Sequence, residues 1–218
     1  MTPSIEIRDL WVEGVGAKLQ GVSLSVGVGE RVAVVGPHQP SLSLLIRACA
    51  GFERVQRGQV VVCGVEVSAA DRRALLQLRR HLGYVSISGG LLANMTMRDN
   101  LELALRYHGT PQADASRAVQ SVIADAGLEA SADVRACLLP AELCKCFAYL
   151  RAVLLEPTVL LAEDPSAYLH PEGRNIVTKL HAQAHARGVT VLVADDDIEF
   201  VEPLVDRIIE LTALEAAS

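Results

Sequence analysis

Runs of apolar residues with strand character open and close the chain, and a long stretch of helical character lies between them. Ile5 to Val12 (IEIRDLWV) and Gly21 to Val26 (GVSLSV) read as two β-rich stretches, and Arg31 to Val35 (RVAVV) as a third strand. After Gly36 and a loop, Leu42, Leu45, Ile46 and Cys49 fall on one face of a helix that Gly51 closes. A strand follows at Gln59–Gly64, then a leucine- and arginine-rich stretch over 71–82, then a short strand, YVSI. From about Thr96 to Glu156 the pattern is helical, with Val119, Val122, Ile123 and Ala126 on one face. Leu143, Phe147, Leu150 and Leu154 form a second such face. Strands return at Thr158–Asp164 and Val189–Asp195, separated by a helix around Arg174–Arg187, and again at RIIEL near the end.

Apolar strands separated by helices imply a parallel sheet buried on both faces, hence an α/β fold with an all-helical insertion. The expected division is 1–92 and 158–218 for a two-part core, with 93–157 as the helical subdomain. Half of the 218 residues are hydrophobic and mean hydropathy is +0.29, yet no apolar run approaches the roughly 20 residues of a spanning helix. The opening MTPSIEIRDL has neither the basic nor the apolar region of a signal peptide, so a cytosolic location is expected. A net charge of −6 leaves no basic footprint for nucleic acid, which is not an expected partner. The five cysteines, Cys49, Cys63, Cys137, Cys144 and Cys146, show no paired CxxC spacing and are read as buried thiols rather than a disulfide framework or zinc ligands.

A strand ending in glycine, then a loop and a helix, is the context of a P-loop. Downstream come Ala50-Gly51, RGQV from Arg57, MTMRDNLEL from Met95, RAVLLEP from Arg151, EDP from Glu163, HPEGR from His170 and DRIIEL from Asp206. Their order and spacing resemble the ATP-binding subunits of ABC transporters over essentially the whole chain. The resemblance implies a P-loop NTPase-like core with a mainly parallel sheet, antiparallel strands near the N-terminus and the helical insertion.

The family's P-loop pattern, G-x-x-x-x-G-K-[ST], needs glycines so that backbone N–H groups can wrap phosphate, a lysine to neutralise it and a hydroxyl for Mg²⁺. Here the segment is Gly36, Pro37, His38, Gln39, Pro40, Ser41, Leu42, Ser43, then Leu44. Gly36 and Ser43 fit; Ser41 replaces the second glycine, Leu42 the lysine, and Pro40 has no N–H to donate. Capping of its own helix is the role expected of Ser43, with metal binding as the alternative.

Carried over position by position, the resemblance puts Ile87 in place of the metal-binding Q-loop glutamine. The signature LSGGQ reads Leu139, Pro140, Ala141, Glu142, Leu143, with Glu142 placed to serve the positive end of the helix it begins. The Walker B pair is exchanged to Glu163 then Asp164, the D-loop aspartate is His170, and the switch histidine is Asp195. The adenine-stacking aromatic is Gly14, with Trp11 nearby but expected in the core. Glu163, Asp164 and Asp195 should meet at neighbouring strand ends with no lysine opposite. Two unit charges about 6 Å apart interact by roughly 3 kcal/mol at an effective dielectric of 20, so each uncompensated acid opposes a triphosphate on that scale. A divalent metal on Ser43, Glu163, Asp164 and Asp195, or protonation of one or more acids, would relieve this.

No catalytic set is intact, and ATP with Mg²⁺ is expected to bind weakly or not at all. The expected function is a non-hydrolysing docking and dimerisation subunit, homo- or heterodimeric, for a membrane permease, peripheral on the cytoplasmic face. Ser86–Asn100 (SISGGLLANMTMRDN) resembles the permease-receiving region of ABC subunits, most nearly the Mla/MCE-type lipid-trafficking systems, and Leu91, Leu92 and Met95 would line it or join the core. The alternatives are a divergent ATPase, alone or in an asymmetric heterodimer, and a soluble regulator with another small ligand in a pocket made more apolar by Leu42 and Ile87. His181 and His185, four apart in a helix, are expected to face solvent, with metal binding as the alternative.

Overall fold

The structure is a computed structural model in which residues 2–211 are described. Strands β1 (Ile5–Gly14) and β2 (Ala17–Val26) form a hairpin, and β4 (Arg57–Val62) and β5 (Val65–Glu66) extend it into an antiparallel sheet of order β2-β1-β4-β5. The second sheet is parallel, of order β6-β7-β8-β3-β9, from β3 (Arg31–Val35), β6 (Leu82–Val85), β7 (Val159–Glu163), β8 (Thr190–Ala194) and β9 (Arg207–Glu210). Every residue of β7 and β8 is buried, as expected of strands covered on both faces.

Helix α1 (Gln39–Cys49) lies between the sheets. Strand alternation divides the core accordingly. Val32, Val34, Leu161 and Leu192 face α1 and the antiparallel sheet, whereas Ala33, Val35, Leu160 and Val193 face the remaining helices. Those are α3 (Met97–Tyr107), α4 (Gln112–Ala126), α5 (Ala141–Leu154) and α6 (Pro171–Ala186), while α2 (Arg72–Arg79) precedes β6 and the short α7 (Ile198–Val201) follows β8. Between Thr96 and Glu156 the chain is helical as expected, apart from turns and an isolated Thr96–Arg135 bridge near the ends of the insertion. Thr96 and Asp99 form a reciprocal capping box that starts α3.

Two glycines are required by close approach. Gly51 lies just past the C-cap of α1 at φ +68°, and a Cβ there would sit 2.7 Å from Leu75 Cδ2. Gly58 (φ +91°) lies against the bulge of β1, where a Cβ would fall 2.1 Å from the Asp9 carbonyl oxygen.

Four expectations change. Of the five cysteines only Cys49 and Cys146 are buried; Cys63 and Cys144 are half-buried and Cys137 is exposed. Helix α1 begins at Gln39, so Ser43 is in its second turn and cannot cap it; His38 is the N-cap and Pro40 sits in the first turn, where no N–H is needed. His181 is buried, because it shares a face of α6 with Val177, Leu180 and Ala184; His185 is exposed as expected. Trp11 does not join the core. It is half-buried on β1, donating from Nε1 to Asp9 at 2.9 Å, with the Arg57 guanidinium 5.4 Å over its ring.

Candidate functional site

The head of α1 is closed on itself. Ser41 and Leu42 both direct their backbone N–H groups to the His38 carbonyl, at 3.0 and 3.2 Å. Ser41 Oγ donates to the Lys18 carbonyl at 3.0 Å, which uses its only proton, so at 2.8 Å it accepts from His38 Nδ1. Leu42 is fully buried among the residues facing the antiparallel sheet, and Leu44 packs beside Gly14, where a Cβ would lie 3.0 Å from its Cδ1. Gln39, Ser43 and Arg47 follow one another at single-turn spacing along α1 and line a pocket of about 460 Å³ closed by Ile87, Glu53 and Glu163. Arg47 pairs with Glu53, and both amide atoms of Gln39 are buried without a hydrogen-bond partner.

The three acids do come to neighbouring strand ends, but only Asp164 and Asp195 bring their carboxylates close together. Glu163, at the end of β7, is buried and accepts a hydrogen bond from the Tyr84 hydroxyl of β6. Burial raises its pKa, opposed by that hydrogen bond and by Arg47. Asp164 takes the left-handed conformation (φ 44°), and burial raises its pKa against the attraction of Lys145. Asp195, past the end of β8, is fully buried and accepts from Ser166 N at 2.7 Å, Ser166 Oγ at 2.8 Å and Asp197 N at 2.8 Å. Burial pushes its pKa up to about 6 despite those donors. Asp164, Asp195 and the exposed Asp196 each offer an oxygen within 4.8 Å of the others, and Glu163 is not part of this group.

A lysine does stand opposite the acids. Lys145, on α5, is 1% exposed, and its Nζ donates to the carbonyls of Glu163 at 3.0 Å and of Ser86 and Ile87 at 3.3 Å each. Burial lowers its pKa to about 8, with Asp164, Asp195 and Glu163 pulling the other way. The signal was present in the sequence: AELCKCFAYLRAVL is apolar on nearly every face, and a lysine inside such a helix must find oxygen partners.

Glu142 also acts elsewhere than expected. It lies in the first turn of α5, but its Oε1 accepts from His170 N at 2.9 Å and Gly173 N at 3.2 Å, so it caps α6. His170 is the N-cap of α6 and provides no side-chain cap of its own. Of the other signature positions, Leu139 and Leu143 pack against the helical core while Pro140 starts α5.

The Ser86–Asn100 segment is pinned from below. Asn100 bonds Leu92 through both its N–H and its carbonyl, and Arg151 donates to the Gly89 and Gly90 carbonyls at 3.1 and 2.7 Å. Leu91 packs against the core, Met95 is half-buried, and Leu92 is exposed. A wider groove of about 540 Å³ lies between α4, α5 and α6, and its lining includes none of the P-loop positions and none of Glu163, Asp164 and Asp195. Among the described residues no helix is long and apolar enough to cross a membrane.

The ABC transporter family profile matches residues 19–167. The methionine import ATP-binding protein MetN of Brucella abortus is 30% identical over 211 residues, 96% of this chain and 57% of that protein. MetN 2 of Burkholderia mallei is 30% identical over 196 residues, 89% of this chain and 50% of that protein. The chain thus spans about half the length of these curated relatives. Its fold matches the ADP- and phosphate-bound dimeric cassette MJ0796 with a TM-score of 0.86 at 21% identity, covering 97% of this chain and 98% of that one. It also matches cbiO1 of Clostridium perfringens, with a TM-score of 0.79 at 20% identity, covering 97% and 86%. Fold and sequence agree, and the chain belongs to the ABC transporter family.

Proposed function

We propose that this chain is an ABC-type subunit that docks on a membrane permease and associates with a second ATP-binding-type subunit, without turning over ATP itself. The observation that carries the reading is the closed head of α1. The amides of Ser41 and Leu42, which a phosphate would need, are spent on His38, and the side chain at the lysine position is an apolar one buried in the core. Pro40 removes a further donor. Glu163 is engaged by Tyr84 and Asp195 by Ser166 and Asp197, so both carboxylates already have protein partners, although Glu163 lines the same pocket as Ser43. The residues present therefore do not fit a magnesium-bound triphosphate.

The exposed Leu92 and half-buried Met95, on a segment braced by Asn100 and Arg151, support docking: a rigid, partly apolar loop loses little entropy when a partner covers it. The named relatives are methionine import proteins, which favours a small-solute importer over lipid trafficking as the assembly served. The subunit would then sit peripherally on the cytoplasmic side of the membrane.

Calorimetric titration of the purified chain with ATP, with and without Mg²⁺, tests the nucleotide half of the reading. No binding at millimolar nucleotide is the expected result, and magnesium-dependent binding overturns it. The docking half predicts that a membrane pull-down recovers a permease, and recovery of neither a permease nor a second ABC subunit defeats it.

A further inference from the structure

Lys145 is the buried charge that the proposed function leaves unused. Its ammonium has three N–H donors and three carbonyl acceptors, two from the loop after β6 and one from the end of β7, so its hydrogen-bonding capacity is filled by the backbone. The carboxylates of Asp164, Asp195 and Glu163 are its nearest ionic surroundings. Three carbonyl oxygens gathered around one positive charge, with the carboxylates of Asp164, Asp195 and Glu163 acting on it through space, are hard-oxygen surroundings of the kind a divalent cation would accept.

We propose that Lys145 is the resident cation of this site: its ammonium holds Ser86, Ile87 and Glu163 together and supplies the positive charge that would otherwise come from a divalent metal. The inference deepens the proposed function and rests on its reading that the site does not hold metal-bound nucleotide. It explains how Glu163, Asp164 and Asp195 persist beside one another, since one acid is offset by a fixed internal charge and each of the others has protein donors of its own. It also ties α5, and with it the helical insertion, to the two strand ends that flank the pocket, independently of any ligand.

The reading implies that wild-type protein excludes divalent cations here and that removing the ammonium admits them. The experiment is a Mn²⁺ titration without nucleotide, followed by electron paramagnetic resonance of the free ion and by thermal melting, on wild type, Lys145→Gln, and Lys145→Gln combined with Asp195→Asn. Wild type is expected to bind no Mn²⁺ at the site. Lys145→Gln, which keeps an amide to bond one carbonyl, is expected to bind Mn²⁺ at least about tenfold more tightly and to melt higher in its presence, with both effects lost on adding Asp195→Asn. Wild-type Mn²⁺ binding that is lost in the doubly substituted protein overturns the proposal, and so does a folded Lys145→Gln with no gain in affinity. Should Lys145→Gln not fold, the wild-type titration decides alone. Because no nucleotide is present, these outcomes are separate from the ATP titration: ATP binding by wild type sinks the proposed function, whereas Mn²⁺ binding without ATP sinks only this inference.

Discussion

The bond from Glu142 to the start of α6 makes a prediction whose size can be worked out. A helix leaves its first N–H groups unsatisfied, and Glu142 Oε1 accepts two at the head of α6, from His170 at 2.9 Å and Gly173 at 3.2 Å. Loss of a cap costs about 0.5–2 kcal/mol and loss of an anion near the helix start about 0.3–1 kcal/mol. The carboxylate is half-exposed and its second bond is long, so Glu142→Ala is expected to cost about 1.5 kcal/mol in all. For a protein of this size that lowers Tm by roughly 3–6 °C. Gly173 sharpens the test. A Cβ there would stand 2.5 Å from Glu142 Oε1, so Gly173→Ala must push the carboxylate off its donors. The helix-propensity gain of about 1 kcal/mol from Gly to Ala is then offset in wild type and released only when Glu142 is already Ala. A double-mutant cycle by urea denaturation should give a coupling of about 1 kcal/mol, with Gly173→Ala stabilising only in the Glu142→Ala background. Additivity of the two changes to within roughly 0.3 kcal/mol would refute the capping role.

Three further outcomes follow from the same geometry. Leu42→Lys is expected to destabilise by about 2–4 kcal/mol, because it puts an ammonium where a fully buried leucine packs, and to leave calorimetric ATP binding absent, since Pro40 and the spent amides remain. Burial holds the His181 imidazole at about 4, below the usual histidine value of about 6.5, so the unfolded chain takes up the proton first and stability falls as pH drops from about 6.5 to 4. His181→Gln should abolish that component, of order 3 kcal/mol, in stability measured by urea denaturation at pH 7 and pH 4. Arg151→Ala removes two bonds to the Gly89 and Gly90 carbonyls, and should raise amide exchange across 88–95 and cost about 1–3 kcal/mol by thermal melting.

The periodicity of the chain carries its architecture. Strands β3, β7 and β8 are short apolar runs that can only be covered on both faces, and that alone implies a parallel sheet with helices packed against it. The family order of motifs added the antiparallel sheet, and Leu42, Leu45, Ile46 and Cys49 are buried together as their spacing requires. Pairing of side chains across the fold is not written in any local pattern. Ser43 lost its capping role because Pro40 lets α1 start a turn early, and His181 went inside because α5 covers that face of α6. Glu142 could be placed at the start of its own helix from the sequence, yet only the packing of α5 against α6 brings it to His170 and Gly173. Lys145 shows the limit most plainly. The sequence marks it as a charge in an apolar helix, but its acceptors come from residues about 60 positions earlier and 18 later, and a buried ammonium is located by whichever carbonyls and carboxylates the finished fold brings within reach.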